Sequence, residues 1–372
     1  MRGAPRDLRV AIVSDAAPER NGVGTYHRDL AAHLRRLIGQ VELLCPEYGE
    51  APLPQWLSVP LPGDSTQRLG LPSPIELKRR LAEVRPHAVI VATPGVHGLL
   101  GARYAVGLGA RLVYVMHTHY ENLTRLYWRG LMRPVNQAYL RTANRYLLQR
   151  ADCVAGVSEE MRALAAAGGA AGARLVGTLL PARFLEAPLA ERGDELRRVL
   201  FLGRLAAEKR VGTLIEAAER LPGRRFLIAG EGPMRAQVEA AAVRLPNLDY
   251  LGWIGRDEVL GLLDRSDMLV LPSQVEAFGT VALEALARGV LTLVSPGSGI
   301  RDWPELGRAL FTIGEGETVT DAIVRVSAVD PVLRRRKAAL GVEAARAMAR
   351  ETLEQWLELL APERRAALES GR

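Results

Sequence analysis

The sequence contains very little cysteine and few aromatic residues. Among its 372 residues there are two cysteines, Cys45 and Cys153, and aromatic side chains make up 5% of the chain. Two cysteines so far apart match neither the spacing of a zinc site nor a disulfide framework. We therefore expect both to be buried small apolar residues in a protein from a reducing compartment.

Long hydrophobic runs are also missing. No window of about 18 uncharged apolar residues occurs, so the sequence predicts no membrane-spanning helix. The apolar run near the N-terminus, within MRGAPRDLRVAIVSD, is too short for a secretory signal peptide. We expect a cytoplasmic protein, or one that lies peripherally on the inner face of the plasma membrane.

The chain has an excess of basic residues. Its formal net charge is +7 and its pI is near 9.7. Such a balance predicts an acidic partner, such as nucleotide phosphates, anionic lipid or nucleic acid. A hydrophobic content of 48% is typical of a globular protein, and 372 residues are too many for one core, so we expect two domains.

Apolar runs alternate with helical stretches through the first half of the chain. This alternation predicts a mostly parallel sheet with helices on both faces, the doubly wound α/β class. The strands are predicted at Leu8–Ser14, Val41–Leu44, Ala88–Ala92, Leu112–Met116 and Cys153–Gly156.

A glycine loop follows the first predicted strand and leads to a helix predicted from about Tyr26 to Leu37. Gly22 and Gly24 fall one glycine short of the dinucleotide fingerprint. Glu42 lies within the next strand rather than at its end, which disfavours nicotinamide binding. Gly22 is therefore either a ligand-approaching glycine or a plain turn residue.

A second strand, loop and helix are predicted around the stretch VEAFGTVALEALARG. The buried strand Asp267–Ser273 precedes it, and the helical spacing begins at Gly279. The first N–H groups of that helix, at the positive end of its dipole, predict a phosphate site. Glu276 and Glu284 flank this site, and carboxylates accept hydrogen bonds from sugar hydroxyls. The arrangement suits a sugar nucleotide, and two solvated glutamates are the alternative.

The context P-S-x-x-E-A-F-G-x-x-x-x-E-A resembles the signature of the retaining family-4 glycosyltransferases. The resemblance covers roughly residues 8 to 300 and implies two Rossmann-like domains that face each other across a cleft, the GT-B arrangement. We expect an acceptor-binding domain at residues 1–185, a donor-binding domain at 186–350 and a final helix at 351–372 that crosses back to the first domain. The irregular stretch 182–193 is the expected linker.

The resemblance also implies roles for individual residues. Arg204 and Lys209 would hold the donor diphosphate, Glu276 the sugar hydroxyls and Glu284 the ribose hydroxyls. His117, at the end of a predicted strand, matches the family histidine that hydrogen-bonds the donor sugar; a packed loop histidine is the alternative. Further donor-binding positions are Gly22, Ile254, Phe278, Gly279 and Thr280.

The family resemblance, together with the lack of any Asp-x-Asp pair, implies that cations and a helix dipole replace a divalent metal. We therefore expect a nucleotide-sugar co-substrate, with no metal and no other cofactor.

Several pieces resemble a narrower group, the family members that build membrane glycolipids, such as diacylglycerol glucosyltransferases. These pieces are Leu71–Pro74, Ala92–Gly95 and His117–Glu121, with Tyr127. The stretch from His117 to Arg150 contains six arginines, one acidic residue and several aromatics, which predicts an interfacial helix on anionic lipid. A basic solvated helix is the alternative, and no RNA-binding motif accompanies it, so no nucleic acid partner is expected. The expected membrane residues are Arg125, Tyr127, Trp128, Arg129 and Arg133.

Two stretches depart from the family pattern. Residues 177–181 lack the usual Gly and Asp, and within 297–302 Asp302 stands where the family has a Glu. The favoured function is retaining transfer from a nucleotide diphosphate sugar, of the UDP-glucose type, to a membrane lipid such as diacylglycerol. The alternatives are transfer to a soluble acceptor, a non-catalytic sugar-nucleotide-binding subunit, and epimerisation of a sugar nucleotide.

Overall fold

The computed structural model describes residues 6–18, 22–46, 52–61, 64–118 and 132–361. The chain divides into two compact units, the first made of residues 1–179 and 349–372 and the second of 180–348. Each unit is built on a six-stranded sheet whose strands all run parallel. The prediction of two Rossmann-like domains is confirmed.

The strands of the first unit are mostly short apolar runs. They are β1 (Arg9–Val13), β2 (Gln40–Leu44), β3 (Gln55–Leu61), β4 (Asp64–Pro72), β5 (Ala88–Val91), β6 (Arg111–Met116), β7 (Cys153–Gly156) and β8 (Ala173–Leu175). β3 and β4 form a separate antiparallel hairpin, and the others pair in the order β2-β1-β5-β6-β7-β8. β5 and β7 are buried along their whole length, as expected for parallel strands covered on both faces.

The helices of the first unit are α1 (Gly22–Leu34), α2 (Pro74–Val84), α3 (Val96–Gly107), α4 (Met132–Arg150) and α5 (Glu159–Ala167). The start of α1 differs from the prediction, because the helix begins at Gly22 rather than near Tyr26. Gly24 explains the earlier start: a Cβ there would lie 2.2 Å from the carbonyl oxygen of Ala17. Only glycine allows the preceding loop to approach the helix so closely.

The second unit has the strand order β11-β10-β9-β12-β13-β14. Its strands are β9 (Arg198–Leu202), β10 (Arg225–Ala229), β11 (Leu248–Gly252), β12 (Met268–Leu271), β13 (Leu291–Val294) and β14 (Phe311–Thr312). Its helices are α6 (Ala182–Glu186), α7 (Gly212–Arg220), α8 (Arg235–Arg244), α9 (Arg256–Asp264), α10 (Thr280–Ala287), α11 (Pro304–Ala309), α12 (Val319–Ala328) and α13 (Pro331–Leu360), with 3-10 turns at Ala207–Lys209 and Gly299–Asp302.

The last helix, α13, begins in the second unit, and its final residues belong to the first. Trp356 is fully buried there, and its indole N–H donates to the hydroxyl of Tyr26 over 3.0 Å. Arg111 at the start of β6 donates to the carbonyl of Leu359 over 2.7 Å. The end of the helix is thus part of the core of the first unit.

Residues 182–193, expected to be the linker, belong to the second unit. Residues 182–186 form α6, and the side chain of Phe184 is fully buried. Arg288, buried just after α10, donates to the carbonyl of Ala187 over 2.8 Å and to both carboxylate oxygens of Asp264 over 2.9 and 3.0 Å. This buried guanidinium supplies the donors that the irregular segment needs, which composition alone does not reveal.

Replacing Arg288 by methionine should destabilise the second unit. The change keeps apolar volume but leaves Asp264 and the carbonyl of Ala187 without their donor. Removing one partner of a buried ion pair costs about 3–5 kcal/mol, so we expect a loss of about 3 kcal/mol or more in the free energy of unfolding. Urea denaturation measures it, with Arg265→Met at the neighbouring exposed position as the control. Equal, small losses in both variants would contradict this role.

Candidate active site

The sheet of the second unit has a topological switch point between β9 and β12. After β9 the chain crosses to β10 on one side of the sheet, and after β12 it crosses to β13 on the other side. β9 and β12 pair only at Val199↔Met268 and Leu200↔Leu269, whereas β9 follows β10 to Leu202. The two central strands therefore part at their carboxyl ends, and this is where open α/β sheets bind ligands.

Lys209 and Glu276 meet at this switch point. The loop after β9 and its 3-10 turn deliver Lys209, and the loop after β12 delivers Glu276. The Lys209 Nζ lies 2.6 Å from Glu276 Oε2, and the Ser273 hydroxyl donates to the same oxygen over 3.1 Å. Arg204, in the same loop, pairs with the buried carboxylate of Glu208. An ion pair between two different loops thus forms at the switch point, and Arg204 lies in one of these loops.

The start of α10 lies beside Glu276. Gly279 precedes the helix with φ +92°, and a Cβ there would lie 3.3 Å from Glu276 Cγ, so the backbone approaches the carboxylate closely. Thr280 is the first helical residue, and the first N–H groups of any helix have no acceptor within it. Phe278 is buried, and its carbonyl accepts from the N–H of Ile300 over 3.1 Å. The helix dipole therefore adds positive potential at the crevice.

Glu284 is buried inside α10 and pairs with the guanidinium of Arg256, the first residue of α9. Ile254, two residues earlier, is half-buried in the loop after β11. Arg256 was not among the predicted site residues, because nothing near it in sequence indicates that it pairs with Glu284, 28 residues away.

His117 lies in the first unit, immediately after β6. It is buried, and its Nε2 lies 2.8 Å from Nε2 of His27 on α1, with the Tyr26 ring edge-on at 4.8 Å. Burial lowers the pKa of His117 to about 3, and burial together with the charge of His117 lowers the pKa of His27 well below its usual value. Both imidazoles are therefore neutral near pH 7, and His27 is a partner that the sequence did not reveal.

A second polar cluster occupies the β1–β5 switch point of the first unit. Asp15, after β1, accepts from the hydroxyl of Thr93 over 2.6 Å, and from the ring Nδ1 and backbone N–H of His97 over 2.8 and 2.9 Å. Burial by itself raises the pKa of Asp15, but the bonds from His97 and Thr93 outweigh it and leave the pKa lowered. The cluster fixes the start of α3. Gly22, the expected donor-loop glycine, is the first residue of α1, and beyond its own turn no atom of the described residues lies within 4 Å of where its Cβ would be.

Only one of the expected membrane residues is described by the structure. Arg133 is exposed in the first turn of α4. Arg125, Tyr127, Trp128 and Arg129 lie outside the described residues.

Comparison with known proteins identifies both halves of the chain. Residues 20–176 match the family model Glycosyltransferase Family 4, and residues 189–325 match Glycosyl transferases group 1. A GDP-mannose-dependent alpha-(1-6)-phosphatidylinositol dimannoside mannosyltransferase from Mycobacterium tuberculosis is 41% identical over 105 residues, which span 27% of this chain and 27% of that enzyme. Sulfoquinovosyl transferase from Arabidopsis thaliana is 24% identical over 307 residues, 78% of this chain and 56% of that one.

Solved structures share the fold over nearly the whole chain. The Anabaena protein HepE, solved with UDP and glucose, superposes with a TM-score of 0.69 at 16% identity over 95% of this chain and 99% of its own. Sucrose-phosphate synthase from Thermosynechococcus elongatus gives a TM-score of 0.71 at 17% identity over 96% and 100%.

The buried histidine pair should make stability depend on pH. Because folding lowers both pKa values, the unfolded chain binds more protons below about pH 6.5, and stability falls as pH decreases. We expect the free energy of unfolding to fall by roughly 1.4 kcal/mol per pH unit for each imidazole between pH 6.5 and pH 5. Urea denaturation across this range tests it. His27→Gln should reduce the slope, and an unaltered slope in His27→Gln would contradict the assignment.

Proposed function

We propose that this chain, which belongs to the family-4 glycosyltransferases, transfers a sugar from a nucleotide diphosphate sugar to an acceptor hydroxyl with retention of configuration. The observation that carries the proposal is the pairing of Lys209 with Glu276 beside the start of α10 at one switch point, with Arg204 in the same loop as Lys209. A nucleotide-sugar partner is also supported by HepE, whose structures contain UDP or UDP-glucose.

The proposed chemistry uses charge at the leaving group. Transfer breaks the bond between the sugar's anomeric carbon and a diphosphate oxygen, so negative charge develops on the diphosphate. Arg204 and Lys209 each have a carboxylate partner that fixes their position, and guanidinium and ammonium groups carry several N–H donors of the kind that bind phosphate oxygens. Together with the dipole of α10, they supply the positive potential for which a divalent metal is otherwise used. We therefore propose a metal-independent reaction.

Other residues position the donor in this proposal. Glu276 accepts hydrogen bonds from the sugar hydroxyls, and Glu284 from the ribose hydroxyls. His117 binds the sugar as a neutral hydrogen-bonding group, which is consistent with its lowered pKa. Gly22, Ile254 and the residues at the start of α10 complete the donor contacts.

The acceptor is proposed to be a membrane lipid, with a UDP-glucose-type donor. One relative is named for a phosphatidylinositol dimannoside acceptor and for GDP-mannose, so a lipid acceptor has a precedent, and the donor's base is tested with both nucleotides. Among the described residues, no helix has the length and hydropathy needed to cross a bilayer. We propose peripheral attachment at the inner face of the plasma membrane through the basic segment that contains Arg133.

Glu276→Gln is expected to abolish transfer while the fold persists. The amide keeps the shape of the side chain but loses the charge that pairs with Lys209 and binds sugar hydroxyls. Transfer or hydrolysis of the sugar nucleotide is the readout, with Glu315→Gln at an exposed position as the control. Turnover near that of the wild type in Glu276→Gln would remove this residue from the site.

Lys209→Ala and Arg204→Ala should weaken donor binding. Each removes a charge-assisted hydrogen bond to phosphate worth about 1.5–3 kcal/mol, a loss of roughly ten- to a hundredfold in affinity. Calorimetric titration with UDP-glucose and GDP-mannose measures it, with Arg220→Ala as the control. The affinity of the wild type should be unchanged by a chelator. Unaltered affinity in both variants would place the diphosphate elsewhere.

A further inference from the structure

The hairpin of β3 and β4 has an apolar face that points to solvent. Its register pairs Leu57 with Leu71 and Val59 with Leu69, so these four side chains share one face. They are between 41% and 53% exposed. We call these four residues the hairpin face.

The opposite face of the hairpin carries the pairs Ser58–Gly70 and Pro60–Arg68, of which Pro60 and Arg68 are exposed. Ser58 and Gly70 are half-buried there, and a Cβ on Gly70 would lie 2.4 Å from Gln55 Oε1. Gln55 Nε2 in turn lies 3.1 Å from His97 Nε2. A two-sided antiparallel ribbon normally buries its apolar side. Here the pattern is inverted, which marks the hairpin face as a contact surface.

Trp56 extends this surface. It lies where the register shifts between Gln55 and Leu57, and 67% of its surface is exposed. An indole with this exposure beside four aliphatic side chains is the composition found where proteins enter the interface of a bilayer.

The hairpin and the basic helix α4 both contact the start of α3. Gln55 contacts His97 in the first turn of α3, and the hydroxyl of Tyr139 on α4 donates to the carbonyl of Pro94 just before that turn, over 3.2 Å. The hairpin and the first half of α4 therefore both contact the β5–α3 junction, at the carboxyl edge of the sheet. In α4, Leu147 and Leu148 are buried, whereas Met132 and Val135 in its first turn are exposed.

The positive charge of α4 favours an anionic membrane as the partner. The helix contains four arginines and no acidic residue, and all four are exposed: Arg133, Arg141, Arg145 and Arg150. Cations beside an exposed apolar surface fit anionic headgroups above an acyl layer. A second copy of this chain, with its own net charge of +7, would bring like charges together.

We propose that the hairpin face and Trp56 insert into the interfacial layer of an anionic membrane, while the arginines of α4 contact its headgroups. This proposal depends on the proposed function in one respect, because a lipid acceptor would require the chain to reach a membrane. It assigns the apolar part of binding to the hairpin and the electrostatic part to α4.

Vesicle co-sedimentation tests the two parts separately. The probes are vesicles of phosphatidylcholine alone and with phosphatidylglycerol, at 0.05, 0.15 and 0.5 M salt. The variant Leu57→Ser/Val59→Ser should bind anionic vesicles at least tenfold more weakly at every salt concentration. Val243→Ser, at a position 92% exposed in the second unit, should bind like the wild type. Wild-type binding should weaken as salt rises because screening shortens the reach of the arginines.

Three results would overturn the proposal. They are equal binding by wild type and hairpin variant, no wild-type binding to anionic vesicles, and a lipid-free change in oligomeric state in the hairpin variant. Calorimetric UDP-glucose and GDP-mannose titrations of the same samples report the fold and the donor site. Loss of vesicle binding with intact nucleotide binding would separate the hairpin from the transfer function, whereas a wild type that binds neither nucleotide would reject the proposed function instead.

The contact between His27 and His117 carries an independent inference. Two neutral imidazoles 2.8 Å apart share one proton, so one Nε2 donates and the other accepts. The other ring nitrogen of His27, Nδ1, is buried and has no hydrogen-bond partner among the described residues. If His27 accepted, that Nδ1 would be an orphaned buried N–H, which is rarer in proteins than an unpaired acceptor.

We infer that His27 is a positioning residue that donates to His117 and holds its proton on Nδ1, the nitrogen that does not face His27. His117 then offers an N–H donor from Nδ1 to whatever it binds. This assignment concerns the tautomer and does not depend on the reaction.

Nitrogen-15 spectra of the histidine side chains test the tautomer directly. In the wild type the His117 proton should be on Nδ1. His27→Gln retains an N–H donor and should preserve that state, whereas His27→Phe removes the donor and should let the proton move to Nε2. A His117 proton on Nε2 in the wild type, or a tautomer that is the same in the Phe variant, would overturn the inference.

Discussion

The short parallel ladder between β9 and β12 is the constraint on which the site depends. It joins only two residue pairs before the strands part, although each strand continues along its outer neighbour. The loops that follow are then drawn together again, by the ion pair of Lys209 with Glu276 and by the N–H of Gln274, which donates to the carbonyl of Glu208 over 2.7 Å. The result is a crevice with a fixed rim, built from backbone pairing rather than from a dedicated insertion.

Ion pairs hold several of the charged side chains of the second unit in place. Arg204 pairs with Glu208, Arg256 with Glu284, and Arg288 with Asp264, in each case with at least one member buried. Because desolvation offsets most of the attraction in such pairs, their main effect is to fix side-chain positions rather than to add stability. A site that must stabilise developing charge gains from this, since its groups need little rearrangement when the charge appears.

The sequence predicted secondary structure best for strands that are buried on both faces. The strand predicted at Cys153–Gly156 is β7 with the same bounds, because a parallel strand covered on both faces is a continuous apolar run. The hairpin was missed because its strands contain Pro60 and Pro72, and because its apolar face points outward. Contacts such as His27 with His117, 90 residues apart, depend on how helix and strand pack, and no local pattern encodes them. The packing of residues 182–193 into the second unit could not be predicted for the same reason, because Arg288 donates to the carbonyl of Ala187 from about a hundred residues away.

The last helix has a consequence for synthesis on the ribosome. Trp356 and the carbonyl of Leu359 complete a core whose other parts, Tyr26 and Arg111, are translated more than two hundred residues earlier. Domains generally fold in the order in which they emerge. Here the amino-terminal unit must wait, with that part of its core uncovered, while the whole of the second unit is made. That part of the core therefore stays uncovered throughout elongation of the second unit, and the first-made domain is the last to be finished.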